Sequence, residues 1–348
     1  MGKMQTKVVR NSNLELLRIL CMLFIVAHHF GVHGQYVATE MPAFNQFIVT
    51  LLSAGGKLGV NIYVLISGYF LIKSDFKPRR IISTLGLTFF YSITIYLALL
   101  IFVSDFSFSF SNLWQSIFVI FHDSYWFVTC YLVMILLSPF INKLINTLKE
   151  KEHLILIAIL LLMQTSFLGS RSYIVLSGSG WFVTLYIISA YIRLYPKKML
   201  ENRLISGVSS IVFCTILGLW KSSTGMTNII CLLASISLFC FFNKLKIKKS
   251  RAINLIASTT FGIYLIHDNQ FIRHYLWNVW LNCPFHSTLD NFWLFSAIAV
   301  ITVFVGCSII ELVRIILTKP IVKLVKNKKE SFARNKLAED FYLLNRCS

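Results

Sequence analysis

Apolar residues in this chain come in long runs separated by short polar stretches, without strict alternation and without narrow helical stripes. Most runs extend over roughly 18–25 residues, the length an α-helix needs to cross a bilayer. Ten can be marked, at approximately 14–33, 46–72, 81–103, 114–142, 154–170, 181–195, 204–220, 227–243, 254–276 and 291–317. The fourth is longer than a crossing needs. It reads as an interfacial piece around "NLWQSIFVIF" followed by a crossing from Tyr125 onward. The segments of about ten alternating residues that a membrane β-barrel would require are absent. The pattern therefore predicts an all-α integral membrane protein with about ten transmembrane helices.

Composition agrees. Of 348 residues, 56% are hydrophobic and only 14% charged, more apolar surface than a soluble interior could hold. The net charge of +19 changes the picture only through its distribution. With the N-terminus inside, "KSDFKPRR", "NTLKEKE", "PKKMLENR", "NKLKIKKSR" and "TKPIVKLVKNKK" all fall on the cytoplasmic face, while the opposite loops hold only Arg171 and Lys221. This is the positive-inside pattern, so the charge reports topology, and no nucleic-acid partner is implied. Both termini are expected in the cytoplasm: a basic N-terminus (1–13), a polytopic membrane domain (14–318) and a basic tail (319–348). The first helix is expected to be retained, because no small-residue cleavage site follows it. Trp114, Trp126, Trp181, Trp277, Trp280 and Trp293 fall near expected outer boundaries and read mainly as interfacial belt residues, with stacking on a sugar ring as the alternative role. The cysteines form no C-x-x-C pair and lie mostly inside apolar runs, as small hydrophobes do.

Candidate chemistry lies where polar groups enter apolar runs, since each charged group there costs roughly 2.5–3.5 kcal/mol on insertion scales. The first run, "NLELLRILCMLFIVAHHF", carries Glu15, Arg18, His28 and His29. At 100° per residue, Arg18 and His29 differ by only about 20° around the helix and lie about 16 Å apart along it. Glu15 stands beside Arg18, and His28 points roughly 80° away. Arg18 near the cytoplasmic end suits the phosphates of a donor, and His29, deeper in the same cavity, suits removal of a proton from an acceptor hydroxyl. The bland alternative has Arg18 reaching the headgroups and the histidines bonding neighbouring helices. His29 and His33 have helical metal-ligand spacing, but no acid accompanies them, so no metal is expected.

Further candidates are His122 and Asp123, His267 and Asp268 in "FGIYLIHD", and Trp126. Glu311 and Arg314 are three apart and predicted to pair. Lys77, Arg79, Arg80 and Arg193 lie at inner ends of spans, where they either anchor the surface or line a phosphate-binding entrance. GxxxxGK[ST], GxGxxG and GxSxG are absent, which removes the usual warrant for nucleotide or serine-hydrolase chemistry.

In order along the chain, Arg18 with His29 after ten intervening residues, "KLGVNIYVLISGYFLI", "YWFVTCYLVMILLSPFIN" and "FGIYLIH" resemble the bacterial membrane-bound acyltransferase 3 family, over about Asn11 to Lys319. That family often carries Arg-x-x-Arg after the second helix; "KPRR" puts Lys77 and Arg80 at that spacing instead. The resemblance implies transfer of an acyl group, most often acetyl, from cytoplasmic acetyl-CoA or another acyl-CoA to a hydroxyl of a cell-surface or lipid-linked polysaccharide, at a bacterial plasma membrane. It implies His29 as base or transient acyl carrier, Arg18 at the donor or the developing charge, Glu15 orienting Arg18, and no bound cofactor. The competing reading is a flippase or exporter of a glycan, using the same polar cavity without chemistry. Internal repeats or helices broken in matching halves would favour it, and neither is visible in the sequence. A glycan polymerase would be expected to expose a large outer loop, and the outer loops here are short.

Overall fold

A computed structural model of the chain describes residues 11–164, 178–219 and 227–344, with side chains as far as Pro320 other than that of Asp123. Arg171 and Lys221, expected in outer loops, lie outside the described residues. The described elements are helical: α1 (Ser12–His33), α2 (Ala43–Leu71), α3 (Pro78–Phe102), α4 (Phe110–Ile117), α5 (Trp126–Thr147), α6 (Glu150–Gln164), α7 (Gly178–Leu194) and α8 (Lys198–Glu201), followed by α9 (Arg203–Leu219) and α10 (Ile229–Lys244). The last part comprises α11 (Arg251–Ala257), α12 (Thr260–His267), α13 (Ile272–His274) running into a π-turn (Tyr275–Trp280), α14 (Cys283–His286) and α15 (Phe292–Leu344).

Local chemistry sets the boundaries. Pro78 occupies the first turn of α3, where its missing N–H costs nothing. Ser109, Asn228 and Ser250 cap α4, α10 and α11 with their side chains. α1, α2, α3, α5 and residues Phe292–Pro320 of α15 are each long and apolar enough to cross a membrane. Helix lies at each of the ten expected segments. A shorter one, the 16-residue α10, spans only about 24 Å at 1.5 Å per residue. The exposed sides of α3 and α15 are apolar: Ile82, Phe89, Leu97 and Ile101 on one, Ile298, Ile301, Val305 and Ile309 on the other. An outer surface of this kind is stable against lipid and makes this a multi-pass membrane protein.

The ninth segment departs from expectation. It is broken at Ser258–Thr259 and again after His267, so α11, α12 and α13 follow one another as short pieces. A second break separates α4 from α5. Thus broken helices are present in both halves of the chain: the split of the fourth segment agrees with the expected interfacial piece and crossing from Tyr125, whereas the sequence did not reveal the breaks in the ninth. The two breaks brace each other: the Tyr125 hydroxyl donates to the Leu265 carbonyl at 2.7 Å, Asn269 Nδ2 donates to the Tyr125 hydroxyl at 2.8 Å, and Ser124 Oγ donates to Gln270 Oε1 at 2.8 Å. These bonds satisfy several of the freed backbone and side-chain polar groups inside the protein. Trp181 and Trp277 are also corrections: both are fully buried, Trp181 donating to Asn61 Oδ1 at 2.9 Å, whereas Trp114, Trp280 and Trp293 are more than half exposed, as belt residues would be.

Candidate active site

The site begins with a close approach of α1 to α2. The sequence "GGKLG" puts Gly55, Gly56 and Gly59 on the face of α2 that meets α1. A Cβ at Gly56 would overlap the His28 ring, and one at Gly59 would stand 2.7 Å from the Cys21 carbonyl. Only glycine permits this spacing, the small-residue seam typical of packed membrane helices. His28 Nδ1 donates to the Ser53 carbonyl across the seam at 2.5 Å. At the end of α1, Phe30 is buried edge-on to Trp277 and stacked on Phe292, which fixes the last two turns.

His29 is buried and meets the end of α12. Its Nδ1 lies 2.8 Å from His267 Nε2, and His267 Nδ1 lies 2.6 Å from the Ile263 carbonyl. A carbonyl only accepts, so His267 carries its proton on Nδ1 and offers a lone pair at Nε2. His29 must then donate from Nδ1, which leaves its Nε2 as the basic nitrogen. Asp268 Oδ1 stands 3.6 Å from that nitrogen and 3.5 Å from His33 Nε2, and Arg273 Nε, which donates to the Asp268 backbone carbonyl at 3.0 Å, forms an ion pair with the same Oδ1 at 2.8 Å. A proton arriving on His29 Nε2 would find a buried, fixed carboxylate beside it.

Arg18 and His29 share a helix face, but they do not share one cavity, as the wheel suggested. Arg18 and Glu15 line a cavity of about 300 Å³, with Ser67, Thr84 and Thr260 on its walls. His29 lines a second, smaller chamber of about 40 Å³, with His28, Lys57 and Trp126. Tyr63, Phe127 and Phe261 border both, so an aromatic waist separates the two spaces. Arg18 Nη1 is paired to Glu15 Oε1 at 3.1 Å, which keeps part of the guanidinium available to the larger cavity. His28 is not turned away from the site: it lines the His29 chamber from the seam.

Residues 11–311 match the family described as Acyltransferase domain. The chain belongs to the acyltransferase 3 family. No curated protein and no solved structure matches it. The protein is thus a membrane acyltransferase, and its two cavities on one face of α1 are where donor, acceptor and base are to be sought.

The other expected residues distribute themselves unequally in this acyltransferase. His267 joins His29 directly, and Trp126 lines the chamber. Lys77, Arg79, Arg80 and Arg193 do not line the Arg18 cavity. Lys77 and Arg79 are exposed at the start of α3, Arg80 donates to Ser74 Oγ at 2.9 Å, and Arg193 donates to the Tyr69 hydroxyl at 2.6 Å while lying over that ring. Glu311 and Arg314 pair bidentately at 2.6 and 2.7 Å, and the Tyr91 hydroxyl donates to Glu311 at 2.5 Å, a buried structural staple away from both cavities. His122 is partly exposed and lines neither cavity. His29, His33 and Asp268 bring donor atoms within 4.8 Å of one another, so the acid missing from the sequence spacing is supplied by α12. Arg273 on the same Asp268 oxygen places a fixed positive charge where a dication would sit, which favours proton handling over metal binding there. Sequence reasoning missed Lys57, Arg273 and Tyr63. Lys57 and Arg273 carried a usable signal, a charge inside a marked apolar run, whereas Tyr63 carried none.

Proposed function

We propose that this acyltransferase moves an acetyl group from cytoplasmic acetyl-CoA to a hydroxyl of a cell-surface or lipid-linked polysaccharide, in a bacterial plasma membrane that it crosses about ten times with both termini inside. The observation that carries the reading is His29: its Nδ1 is committed to His267, which leaves the lone pair on Nε2 beside Asp268, and the residue lines the chamber. In the reaction, the acceptor O–H gives its proton to His29 Nε2 as the oxygen attacks the thioester carbonyl carbon. The carbonyl π pair moves to its oxygen, the tetrahedral adduct collapses with cleavage of the C–S bond, and the departing thiolate takes from His29 the proton that the acceptor hydroxyl gave up. Asp268, held by Arg273, stabilises the imidazolium between the two transfers. Arg18, oriented by Glu15, receives the donor phosphates in the larger cavity.

The flippase reading gains from the broken helices, and one experiment separates the two. Purified protein in nanodiscs is given acetyl-CoA labelled in the acetyl group, with envelope glycan from a strain lacking the protein as acceptor. Label in alkali-labile ester on the glycan is expected, with acetyl-CoA preferred over butyryl-CoA. Glycan that stays unlabelled while the protein is folded would refute the enzyme reading.

A further inference from the structure

The mechanism above leaves one charge without a task. Lys57 sits on α2 in the middle of the glycine seam, flanked by Gly56 against His28 and by Gly59 against Cys21. It is a charged residue inside a membrane-spanning helix, a placement that is costly unless something compensates it. Among the described residues, no carboxylate lies within ion-pair distance of it. What it has is the Trp126 ring, with Nζ 4.9 Å from the ring centroid. A cation–π contact offsets only part of that cost, and it holds the ammonium while leaving its N–H donors unspent. Both residues line the chamber that contains His29.

Acyl transfer needs such a group. As the acceptor oxygen attacks, negative charge gathers on the former carbonyl oxygen, and donors aimed at that place usually supply the largest share of rate enhancement. Arg18 belongs to the other cavity, beyond the aromatic waist, and is already paired with Glu15. Arg273 is committed to Asp268. Lys57 is the cationic side chain that lines the His29 chamber. From this placement we infer that Lys57 is the oxyanion-stabilising residue of the transfer, held in position by Trp126. The inference rests on the assignment of His29 as the base in this chamber. It adds no chemical step: the electron pair displaced from the carbonyl onto its oxygen is met by the Lys57 ammonium, and it returns when the C–S bond breaks.

The neighbouring sequence makes the placement robust. Tyr125, the residue before Trp126, is bonded to the α12 backbone, so the indole is anchored from the same turn that positions His267. Ammonium, base and base-orienting imidazole are therefore fixed by α2, α1 and α12 around one small space.

The test uses full-length protein in nanodiscs and acetyl-CoA as the probe, with release of free CoA thiol to water or methyl glycoside as the readout. Lys57→Met keeps length and apolar packing but removes the charge. Its kcat and kcat/KM are expected to fall together by about 10²–10³, with KM for acetyl-CoA nearly unchanged, as for a group acting in the transition state alone. The pH dependence of the residual rate should keep the wild-type shape, since the base is intact. Lys57→Arg should recover part of kcat, because charge is restored with different geometry. If Lys57→Met does not reach the membrane, Lys57→Gln decides in its place. Wild-type kcat in either neutral variant, with His29→Ala inactive, would overturn the role of Lys57 alone. Wild-type kcat in His29→Ala would overturn the base assignment and with it this inference.

Discussion

Replacing His267 with leucine isolates the contact that sets the tautomer of His29. Both rings are buried, and the Nδ1–Nε2 bond between them is 2.8 Å. In His267→Leu, the Nδ1–H of His29 has two options. It stays and remains unsatisfied, at a cost of about 1–3 kcal/mol, or the proton moves to Nε2 and the basic lone pair is lost from the reacting position. Either way the reactive form is disfavoured by that amount, which at about 1.4 kcal/mol per decade is a fall of roughly 5- to 150-fold in kcat. His267→Gln should restore much of the rate, since a carboxamide oxygen can accept from His29 Nδ1. The assay is labelled acetyl transfer to envelope glycan by each purified variant, with ¹⁵N-histidine spectra to follow the protonated nitrogen of His29. A leucine variant with wild-type kcat and an unshifted His29 signal would refute the tautomer argument. So would a folded glutamine variant no faster than leucine.

Other expectations follow from neighbouring parts of the structure. Gly56→Ala pushes a methyl into the His28 ring and should widen the α1–α2 seam, lowering both thermal stability in detergent, by about 1–3 kcal/mol as for other overpacked cores, and transfer activity. Phe261→Ala opens the waist between the two cavities and should raise the butyryl-to-acetyl ratio of kcat/KM by roughly ten-fold, the scale on which apolar pockets discriminate methylenes; an unchanged ratio would show that the waist does not set acyl length. Glu311→Ala leaves the Arg314 guanidinium and the Tyr91 hydroxyl without their shared partner, and should cost about 3–5 kcal/mol, read as a lowered unfolding temperature with little change in KM of the protein that remains folded.

The class of the protein and one face of its site were legible in the sequence, because both depend on local periodicity. Runs of apolar residues define membrane helices, and a spacing of eleven places Arg18 and His29 in line. What completes the site comes from far along the chain. His267 lies 238 residues from His29, and no local pattern states that two such residues meet. The break at Ser258–Thr259 carries no glycine or proline to announce it; Thr259 is held by the Ile256 carbonyl and by Ser308 on α15, a tertiary cause. The wheel also implied one cavity where there are two, since it registers direction but not the aromatic rings that α2, α5 and α12 insert between Arg18 and His29. Trp181 and Trp277 were misplaced for the same reason: position along a span fixes depth, while burial depends on which neighbours pack against the ring.

The central claim is that His29 Nε2 performs the proton transfer of an acyl transfer, and the ester content of the surface glycan reports it in the intact cell. His29→Ala and His28→Ala, each expressed at wild-type abundance in a strain lacking the protein, should differ sharply. Alkali-labile acetyl on the glycan is expected to fall to the level of the deletion strain in His29→Ala and to remain substantial in His28→Ala. Wild-type acetylation in His29→Ala, with protein present in the membrane, would contradict the account.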